Sequence, residues 1–300
     1  MDREFFGKLV ERKGCDIVMT FEEFCNAYSN IEMLARGGQK IVFSAHHGKY
    51  GDVVIKLFFR LDDPRSLREI EIGKQLQISA VPTIYETGHL LYEKSDTLYI
   101  VEQRVNGIEL RKLITDGYRF SLKEAVEFLE QSLSFVQSIE NLGIVHRDIK
   151  PENIILGNNG DVYFLDFGIA RVLDMPSITK TEAMIGPHTP GYAAPEQFNN
   201  LKKQIDSRSD IFSVGVVTYE CITGENPFRK GAQSALDVLQ RTETITPASF
   251  QIPGDTQKHF MALLSSMMGK FPSRRPKNAN QALDWLNAAK ATFVYDEGEN

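Results

Sequence analysis

The sequence predicts an α+β fold in which a β-rich part precedes a mainly helical part. Short runs of β-branched and aromatic residues dominate the first part, where strands are expected at 41–43, 53–55 and 98–101. Beyond Gly107, apolar residues recur every three or four positions, as they do on one face of a helix. A chain of 300 residues has room for about two such units.

Two long helices are expected in the second part. Ser121 and Glu124 form a capping box ahead of an apolar stripe that ends at Gly143. A second helix is expected to start near Asp210 and to end at Gly224. Because its residues are apolar nearly all round, we expect it to be buried.

The first 29 residues precede the β-rich part and form an N-terminal extension. Thr20 and Glu23 make another capping box, so a short amphipathic helix is expected to follow. Residues 1–29 are either extra helices packed on the next lobe or an element that binds a regulatory partner. At the other end, residues 291–300 are expected to form an acidic tail.

Composition excludes several classes of protein. With 42% hydrophobic and 25% charged residues, the chain is neither disordered nor collagen-like. A net charge of −6 is unfavourable for non-specific nucleic-acid binding. Three scattered cysteines provide neither a disulfide framework nor a zinc site, and no apolar run is long enough for a signal peptide or a membrane span. We therefore expect a cytoplasmic protein without nucleic-acid partners.

Two motifs carry the chemistry. The first is HRDIKPEN at 146–153, and the second is DFG at 166–168. In this order they resemble the motifs of Hanks-type protein serine/threonine kinases, and the resemblance covers about residues 31–290. It implies a bilobal protein kinase fold: a small lobe at 30–105 with a five-stranded antiparallel sheet and one main helix, and a mainly α-helical large lobe at 106–290. ATP and Mg²⁺, with Mn²⁺ as an alternative metal, are expected between the lobes.

Phosphoryl transfer leaves the protein to position the reactants and neutralise charge, so it needs a carboxylate, cations and metal ligands. By resemblance, Asp148 orients the substrate hydroxyl and accepts its proton, while Lys150 contacts the transferred phosphate. Asn153 and Asp166 are expected to ligate Mg²⁺ through hard oxygen donors. Asp210 is expected to brace the backbone of the catalytic loop.

A lysine at the end of an apolar strand needs an anion. By resemblance, Lys56 holds the α and β phosphates and pairs with Glu69 on a helix expected at 64–77. Glu71 is a rival for this pairing, but it lies about 200° around the helix from Glu69. Only one of the two can face the lysine, and we choose Glu69.

The expected phosphate-covering loop departs from the family's GxGxxGxV pattern. Gly37 keeps the second glycine and is followed by Gly38, whereas Ala35 and Lys40 replace the first and third. Lys40 either adds a cation over the phosphates or weakens nucleotide binding. The nucleotide-binding residues that the resemblance implies are Ala35, Gly37, Gly38, Lys40, Val42, Val54, Lys56, Glu69, Gln103, Val105, Asn153 and Asp166.

A second departure from the family's pattern lies in the strand that leads to the expected hinge between the two lobes. Glu102 stands where family members usually carry an apolar or hydroxylated residue behind the adenine. A carboxylate there needs a partner or water. Adenine recognition is nevertheless expected from backbone groups near Gln103 and Val105.

The expected activation segment closes with a stretch matching the family's GTPxYxAPE ending. The resemblance implies that Thr189 bonds toward Asp148 and Lys150. It also implies a buried ion pair between Glu196 and Arg275.

Arg147 precedes the catalytic aspartate, a feature that in the family accompanies control by phosphorylation. Ser177, Thr179 and Thr181 are the available hydroxyls, and a phosphate on one of them is expected to pair with Arg147 and Arg171.

The resemblance implies transfer of the γ-phosphoryl group of ATP to Ser or Thr hydroxyls of protein substrates, with autophosphorylation in the activation segment. One alternative is a pseudokinase that serves as a nucleotide-dependent interaction module, which Lys40 and Glu102 favour. Another is a small-molecule kinase of the aminoglycoside phosphotransferase type, which the ending at 186–196 and Arg275 disfavour.

Overall fold

The computed structural model describes residues 19–61, 64–168, 170–172, 189–199 and 205–295. They form two compact units. The first comprises the described parts of Met1–Asp62 and Ile84–Arg104, and the second comprises those of Asp63–Thr83 and Val105–Asn300. The boundaries expected for the extension, the two lobes and the tail stay predictions.

The first unit is an antiparallel sheet of five strands with one short helix on it. The strands follow the order β1-β2-β3-β5-β4 across the sheet. Its elements are α1 (Phe21–Cys25), β1 (Tyr28–Arg36), β2 (Lys40–His47), β3 (Gly51–Phe58), β4 (Ile84–Tyr92) and β5 (Ser95–Gln103).

The helix α1 begins at the capping box that the sequence predicts. The Thr20 hydroxyl accepts the Glu23 backbone N–H at 3.2 Å, and the Glu23 carboxylate accepts the Thr20 backbone N–H at 2.8 Å. Phe24 is buried, with its ring centroid 4.8 Å from those of Tyr28 and Tyr99. This described part of the N-terminal extension therefore packs on the sheet, whereas a role of residues 1–29 in partner binding stays a prediction.

The second unit is mainly helical. It contains a three-stranded sheet in the order β6-β8-β9 and a two-stranded pair of β7 and β10. Its elements are α2 (Pro64–Gln75), β6 (Gly107–Glu109), α3 (Leu110–Thr115), α4 (Leu122–Asn141), β7 (Ile144–Val145), β8 (Ile154–Gly157), β9 (Val162–Phe164), β10 (Arg171–Val172), α5 (Pro195–Phe198), α6 (Ser207–Thr223), α7 (Ala235–Thr244), α8 (His259–Met267) and α9 (Ala279–Lys290), with 3₁₀ turns at Pro151–Asn153 and Pro272–Arg274.

The core of the second unit forms around α4 and α6. The Ser121–Glu124 capping box is present at the start of α4. The helix α6 is buried on nearly all sides, as its apolar sequence predicts. It begins at Ser207 rather than near Asp210, because the Asp206 carboxylate caps the helix by accepting the Arg208 backbone N–H at 3.0 Å.

An antiparallel five-stranded unit and a mainly helical unit confirm the predicted α+β fold class. Among the described helices, none combines the length and apolar character that crossing a bilayer needs.

Candidate active site

A short hairpin brings the two predicted metal ligands to the same end of a sheet in the second unit. Asn153 immediately precedes β8, Asp166 follows β9, and the two strands pair antiparallel with Ile154 opposite Phe164. The Leu165 backbone N–H donates to the Asn153 carbonyl at 2.8 Å. Antiparallel pairing therefore places residues that are distant in sequence beside each other.

The Asp148 carboxylate is held by three side chains. Its Oδ2 accepts from Lys150 Nζ at 2.6 Å and from Asn153 Nδ2 at 3.0 Å, and its Oδ1 accepts from Thr189 Oγ1 at 2.6 Å. Lys150 Nζ also donates to Thr189 Oγ1 at 3.2 Å. These contacts confirm the predicted bonds of Thr189 and fix the carboxylate in one orientation, with 14% of the Asp148 side chain exposed.

The Asn153 amide is oriented by its hydrogen bonds. Its Nδ2 donates to both the Asp148 carbonyl and the Asp148 carboxylate, each at 3.0 Å. The amide oxygen is therefore the atom left to face a hard cation. Asp166 adopts a positive φ of 63°, and its Oδ1 accepts the Gly168 backbone N–H at 3.1 Å.

Asp210 braces the loop that carries Asp148, as the resemblance implies. Its two carboxylate oxygens accept the backbone N–H groups of His146 and Arg147, each at 2.8 Å. Arg147 has a positive φ of 70°, and its carbonyl accepts from Gln197 Nε2 at 2.9 Å. Hydrogen bonds on both sides hold a backbone conformation that is unfavourable for arginine.

The imidazole of His146 packs inside this loop. Burial lowers the pKa of His146 below its ordinary value, so the ring is neutral. Its Nε2 lies 3.2 Å from the Leu165 carbonyl, and its Nδ1 accepts the Asp148 backbone N–H at 3.3 Å. Since a carbonyl only accepts, the proton is on Nε2, and the histidine links the loop to the strand before Asp166.

Burial raises the pKa of Asp210 to about 7, against the opposing effect of the two backbone N–H donors. The folded state therefore binds more protons than the unfolded state between about pH 4 and pH 7. The quantity to follow is the free energy of unfolding of the parent minus that of Asp210→Asn. We expect this difference to fall as pH rises through this window, by at most about 1.4 kcal/mol for each unit by which the pKa is raised. Urea unfolding of both proteins between pH 4 and pH 8 measures it. A difference that grew with pH would show that the N–H donors outweigh burial.

Lys56 lies in the first unit, on β3, and contacts a carboxylate that the sequence did not assign to it. Lys56 Nζ is 2.9 Å from Glu102 Oε1, with the two side chains 11% and 10% exposed. In the sheet, Val54 lies opposite Glu102 and Lys56 lies opposite Ile100, so Lys56 and Glu102 are diagonal neighbours on one face. The expectation that Glu102 needs a partner is confirmed. Lys56 and Glu102 are 46 positions apart in the sequence, and only the register of β3 against β5 brings them together.

Glu69 is buried on α2, which ends at Gln75, two residues before the expected end. Its pairing with Lys56 stays a prediction. The same holds for adenine recognition near Gln103 and Val105.

Several predicted nucleotide-binding residues share the sheet face of Lys56. Val42 lies opposite both Ala35 on β1 and Lys56 on β3. Val54 precedes Lys56 by two positions on β3. In an antiparallel sheet, directly paired residues point to the same side, as do residues two apart. This face therefore presents two half-buried valines, the small Ala35 and the Lys56 ammonium.

Gly37, Gly38 and Gln39 form the tight turn between β1 and β2. The Gly37 backbone N–H donates to the Lys40 carbonyl at 2.9 Å. Lys40 Nζ lies 5.6 Å from the Phe58 ring centroid, within reach of a cation–π interaction. Both interpretations of Lys40 stay open.

Glu196 and Arg275 form the predicted buried ion pair. The contact is bidentate, with Nη1–Oε1 at 2.7 Å and Nη2–Oε2 at 2.9 Å, and the side chains are 1% and 0% exposed. Ser209 Oγ also donates to the Glu196 carboxylate at 2.7 Å. The pair joins the end of the segment carrying Thr189 to the core of the unit.

Comparison with known proteins identifies this arrangement. The family described as "Protein kinase domain" matches residues 28–286. The chain belongs to the protein kinase domain family. The predicted resemblance to Hanks-type protein serine/threonine kinases is confirmed.

Curated relatives of the chain include bacterial serine/threonine-protein kinases. The chain is 33% identical over 275 residues to the probable serine/threonine-protein kinase PknB of Corynebacterium glutamicum, covering 88% of this chain and 42% of the relative. It is 35% identical over 257 residues to a probable serine/threonine-protein kinase of Streptomyces coelicolor (83% and 38%), and 32% identical over 267 residues to PknB of Mycobacterium tuberculosis (86% and 41%). The chain thus spans about two fifths of the length of these kinases.

Membership of a kinase family implies ATP and a divalent metal. The donors at the end of the β8–β9 hairpin fit such a metal. An amide oxygen and a carboxylate are hard ligands, and magnesium sites in this class use few protein ligands and complete the shell with phosphates and water. Asn153 and Asp166 are the residues that would hold it.

Three predicted phosphorylation sites, Ser177, Thr179 and Thr181, lie outside the described residues. The side chain of Arg171, their expected partner, is not described either. Control by phosphorylation of this segment stays a prediction.

Proposed function

We propose that this kinase domain transfers the γ-phosphoryl group of ATP to Ser or Thr hydroxyls of protein substrates. The observation that carries the proposal is the Asp148 carboxylate, which Lys150, Thr189 and Asn153 hold in one orientation. The names of the bacterial relatives support the choice of Ser and Thr as acceptors.

In the proposed step, the acceptor hydroxyl gives its proton to Asp148 as its oxygen bonds to the γ-phosphorus. The bond from that phosphorus to the β–γ bridging oxygen breaks, and ADP leaves with the electron pair. Lys150 neutralises charge on the transferred group, and Lys56 holds the α and β phosphates. Mg²⁺, or Mn²⁺ in its place, supplies charge neutralisation on the phosphates when Asn153 and Asp166 hold it.

We further propose autophosphorylation at Ser177, Thr179 or Thr181 and a cytoplasmic location. Among the residues that the structure describes, the thiols of Cys25 and Cys221 form no disulfide, which supports a reducing compartment.

The function is tested with Mg²⁺ and γ-labelled ATP. Acceptors are peptides that differ only in carrying Ser, Thr or Tyr, together with an aminoglycoside. We expect label on the Ser and Thr peptides with the parent protein and none with Asp166→Ala. Label confined to the aminoglycoside would support a small-molecule kinase. No label above the variant on any acceptor would support a pseudokinase.

The turn at Gly38 offers a test of nucleotide contact. A Cβ built on Gly38 meets nothing within 4 Å, and the residue has no positive φ, so Gly38→Ala is compatible with the free protein. If the turn covers the phosphates, the added methyl group obstructs them. We expect the KM for ATP to rise by roughly 3- to 10-fold.

Gly48→Ala is the matched control, because Gly48 occupies the β2–β3 turn and is equally unobstructed. Equal KM values for the two variants would contradict a phosphate-covering role of the β1–β2 turn.

The Lys56–Glu102 pair predicts a lower KM for ATP when Glu102 is neutralised, opposite to the rise expected for Gly38→Ala. In the first unit, the Glu102 carboxylate competes with phosphates for the Lys56 ammonium. We expect Glu102→Gln to lower the KM for ATP by roughly 3- to 10-fold, because the neutral amide attracts the ammonium less. Glu32→Gln makes the same change of charge at an exposed position of β1. A KM for ATP that is raised in Glu102→Gln but unchanged in Glu32→Gln would show instead that Glu102 positions Lys56 for the nucleotide.

A further inference from the structure

Lys270 lies between α8 and α9 and buries its ammonium group among aromatic rings of the second unit. Lys270 Nζ is shielded from solvent and has no hydrogen-bond partner among the residues that the structure describes. It lies 4.1 Å from the centroid of the Phe228 ring and 6.0 Å from that of Phe212. The two rings stack with their centroids 5.9 Å apart. Ring faces therefore replace the acceptors that a buried ammonium ordinarily needs.

The charged groups around Lys270 do not neutralise it. The charge that acts on the ammonium is a second cation, Arg275, whose guanidinium lies 4.9 Å from the Phe212 ring centroid. Arg275 in turn binds both carboxylate oxygens of Glu196 on α5. Burial, with a further contribution from Arg275, lowers the pKa of Lys270 to about 8. At pH 7 the amine is therefore charged in surroundings that disfavour charge, which costs stability.

The Phe228 ring belongs to the loop between α6 and α7, which holds a neighbouring stretch of backbone. The Asn226 side chain accepts the Phe228 backbone N–H at 3.0 Å and donates to the Gly191 carbonyl at 3.1 Å. Arg229 Nε donates to the Pro190 carbonyl at 2.9 Å. The residues on both sides of Phe228 in this loop thus bind two consecutive carbonyl groups.

Those two carbonyl groups lie beside the residue that orients the catalytic carboxylate. Thr189 directly precedes Pro190, and its hydroxyl donates to Asp148 Oδ1 at 2.6 Å. Gly191 has a positive φ of 91°, and a Cβ built on it would meet the Arg229 side chain at 2.9 Å. Loop and backbone are packed this closely, so a shift of the loop moves the chain next to Thr189.

We propose that Lys270 is a positioning residue for the protein substrate: by holding the Phe228 ring, its ammonium keeps the α6–α7 loop and the backbone beside Thr189 in the geometry that accepts a peptide. The inference rests on the proposed function and adds a residue that acts through Phe228 rather than on the reacting atoms. A cation–π contact is stronger when it is shielded from water. The neutral amine lacks this attraction, so deprotonation releases the ring.

Removing the ammonium should have opposite effects on stability and on peptide binding. Lys270→Met keeps an unbranched side chain beside the rings and removes the buried charge. At pH 7 we expect a higher midpoint of urea unfolding than in the parent, because the cost of burying the charge is gone. We expect the KM for a Ser or Thr peptide to rise by roughly 3- to 10-fold, with the KM for ATP unchanged. A lower midpoint with the parent's KM for the peptide would identify a packing residue and overturn the inference.

The pH dependence isolates the charge of Lys270. Because its pKa is about 8, the KM of the parent for the peptide should rise between about pH 7 and pH 9 relative to that of Lys270→Arg, which stays charged. The ratio of the two KM values cancels the titration of groups that both proteins share. The free energy of unfolding of the parent minus that of Lys270→Met should rise between about pH 8 and pH 10, since the unfolded chain keeps this proton to higher pH.

Lys277→Met is the matched control, because it removes a lysine from an exposed position of the same connection between α8 and α9. It should keep the KM of the parent for the peptide and its pH dependence. If Lys270→Met does not fold, the ratio of the parent to Lys270→Arg still decides: a ratio that stays constant from pH 7 to pH 9 would overturn the inference alone. No phosphorylation of any peptide by the parent would overturn the proposed function as well.

Discussion

Replacing Asp148 with asparagine should lower the rate of phosphoryl transfer by about 10²- to 10⁴-fold without unfolding the protein. The amide keeps the shape of the carboxylate. Its oxygen can accept from Lys150 and Asn153, and its NH₂ group can donate to Thr189, whose hydroxyl oxygen can also accept. What the variant loses is the negative charge and the ability to take up the substrate proton. The fall in rate therefore reports on catalysis rather than on packing.

The measurement is the initial rate on a Ser or Thr peptide at saturating ATP, with tryptophan fluorescence to monitor the fold. Asp284→Asn removes the same charge from an exposed position of α9 and should keep the parent rate. An Asp148→Asn protein that is folded and fully active would exclude Asp148 as the proton acceptor.

Breaking the Glu196–Arg275 pair should have the largest effect on stability. Arg275→Met leaves the Glu196 carboxylate buried, with Ser209 as its one remaining side-chain donor among the described residues. We therefore expect the free energy of unfolding to fall by about 3–5 kcal/mol. Glu196→Gln in the Arg275→Met background removes the uncompensated charge and should recover part of this loss. The non-additivity of the two changes then measures the coupling within the pair.

Urea unfolding followed by the fluorescence of Trp285, the single tryptophan, reports on the second unit. Arg241→Met is the control. It removes an Asp237–Arg241 pair whose side chains are about 30% exposed, and we expect a cost of about 1 kcal/mol or less. Equal costs for Arg275→Met and Arg241→Met would contradict the role assigned to the buried pair.

Features encoded over short stretches of sequence could be predicted, because their partners lie three or four residues apart. The capping boxes at Thr20 and Ser121 are examples, and both are present in the structure. The contacts of Thr189 with Asp148 and Lys150 were also predicted, although they join distant segments. That prediction came from the kinase motifs rather than from physical spacing.

Features that depend on register or packing could not be predicted. The Lys56–Glu102 contact requires knowing that Val54 lies opposite Glu102. The bond between Arg111 and Glu220 joins residues 109 positions apart, and nothing local in either segment identifies the other.

The most direct test of the central claim, that this chain transfers phosphate from ATP to hydroxyls through Asp148, uses mass spectrometry. The whole chain is incubated with Mg²⁺, ATP and a degenerate Ser/Thr peptide library, in parallel with Asp148→Asn and with a sample containing a chelator. We expect phosphoserine and phosphothreonine on the library and on the parent chain, with sites among Ser177, Thr179 and Thr181, and none in either control. No phosphate gained by library or chain in the presence of Mg²⁺, or equal gain with Asp148→Asn, would contradict the claim.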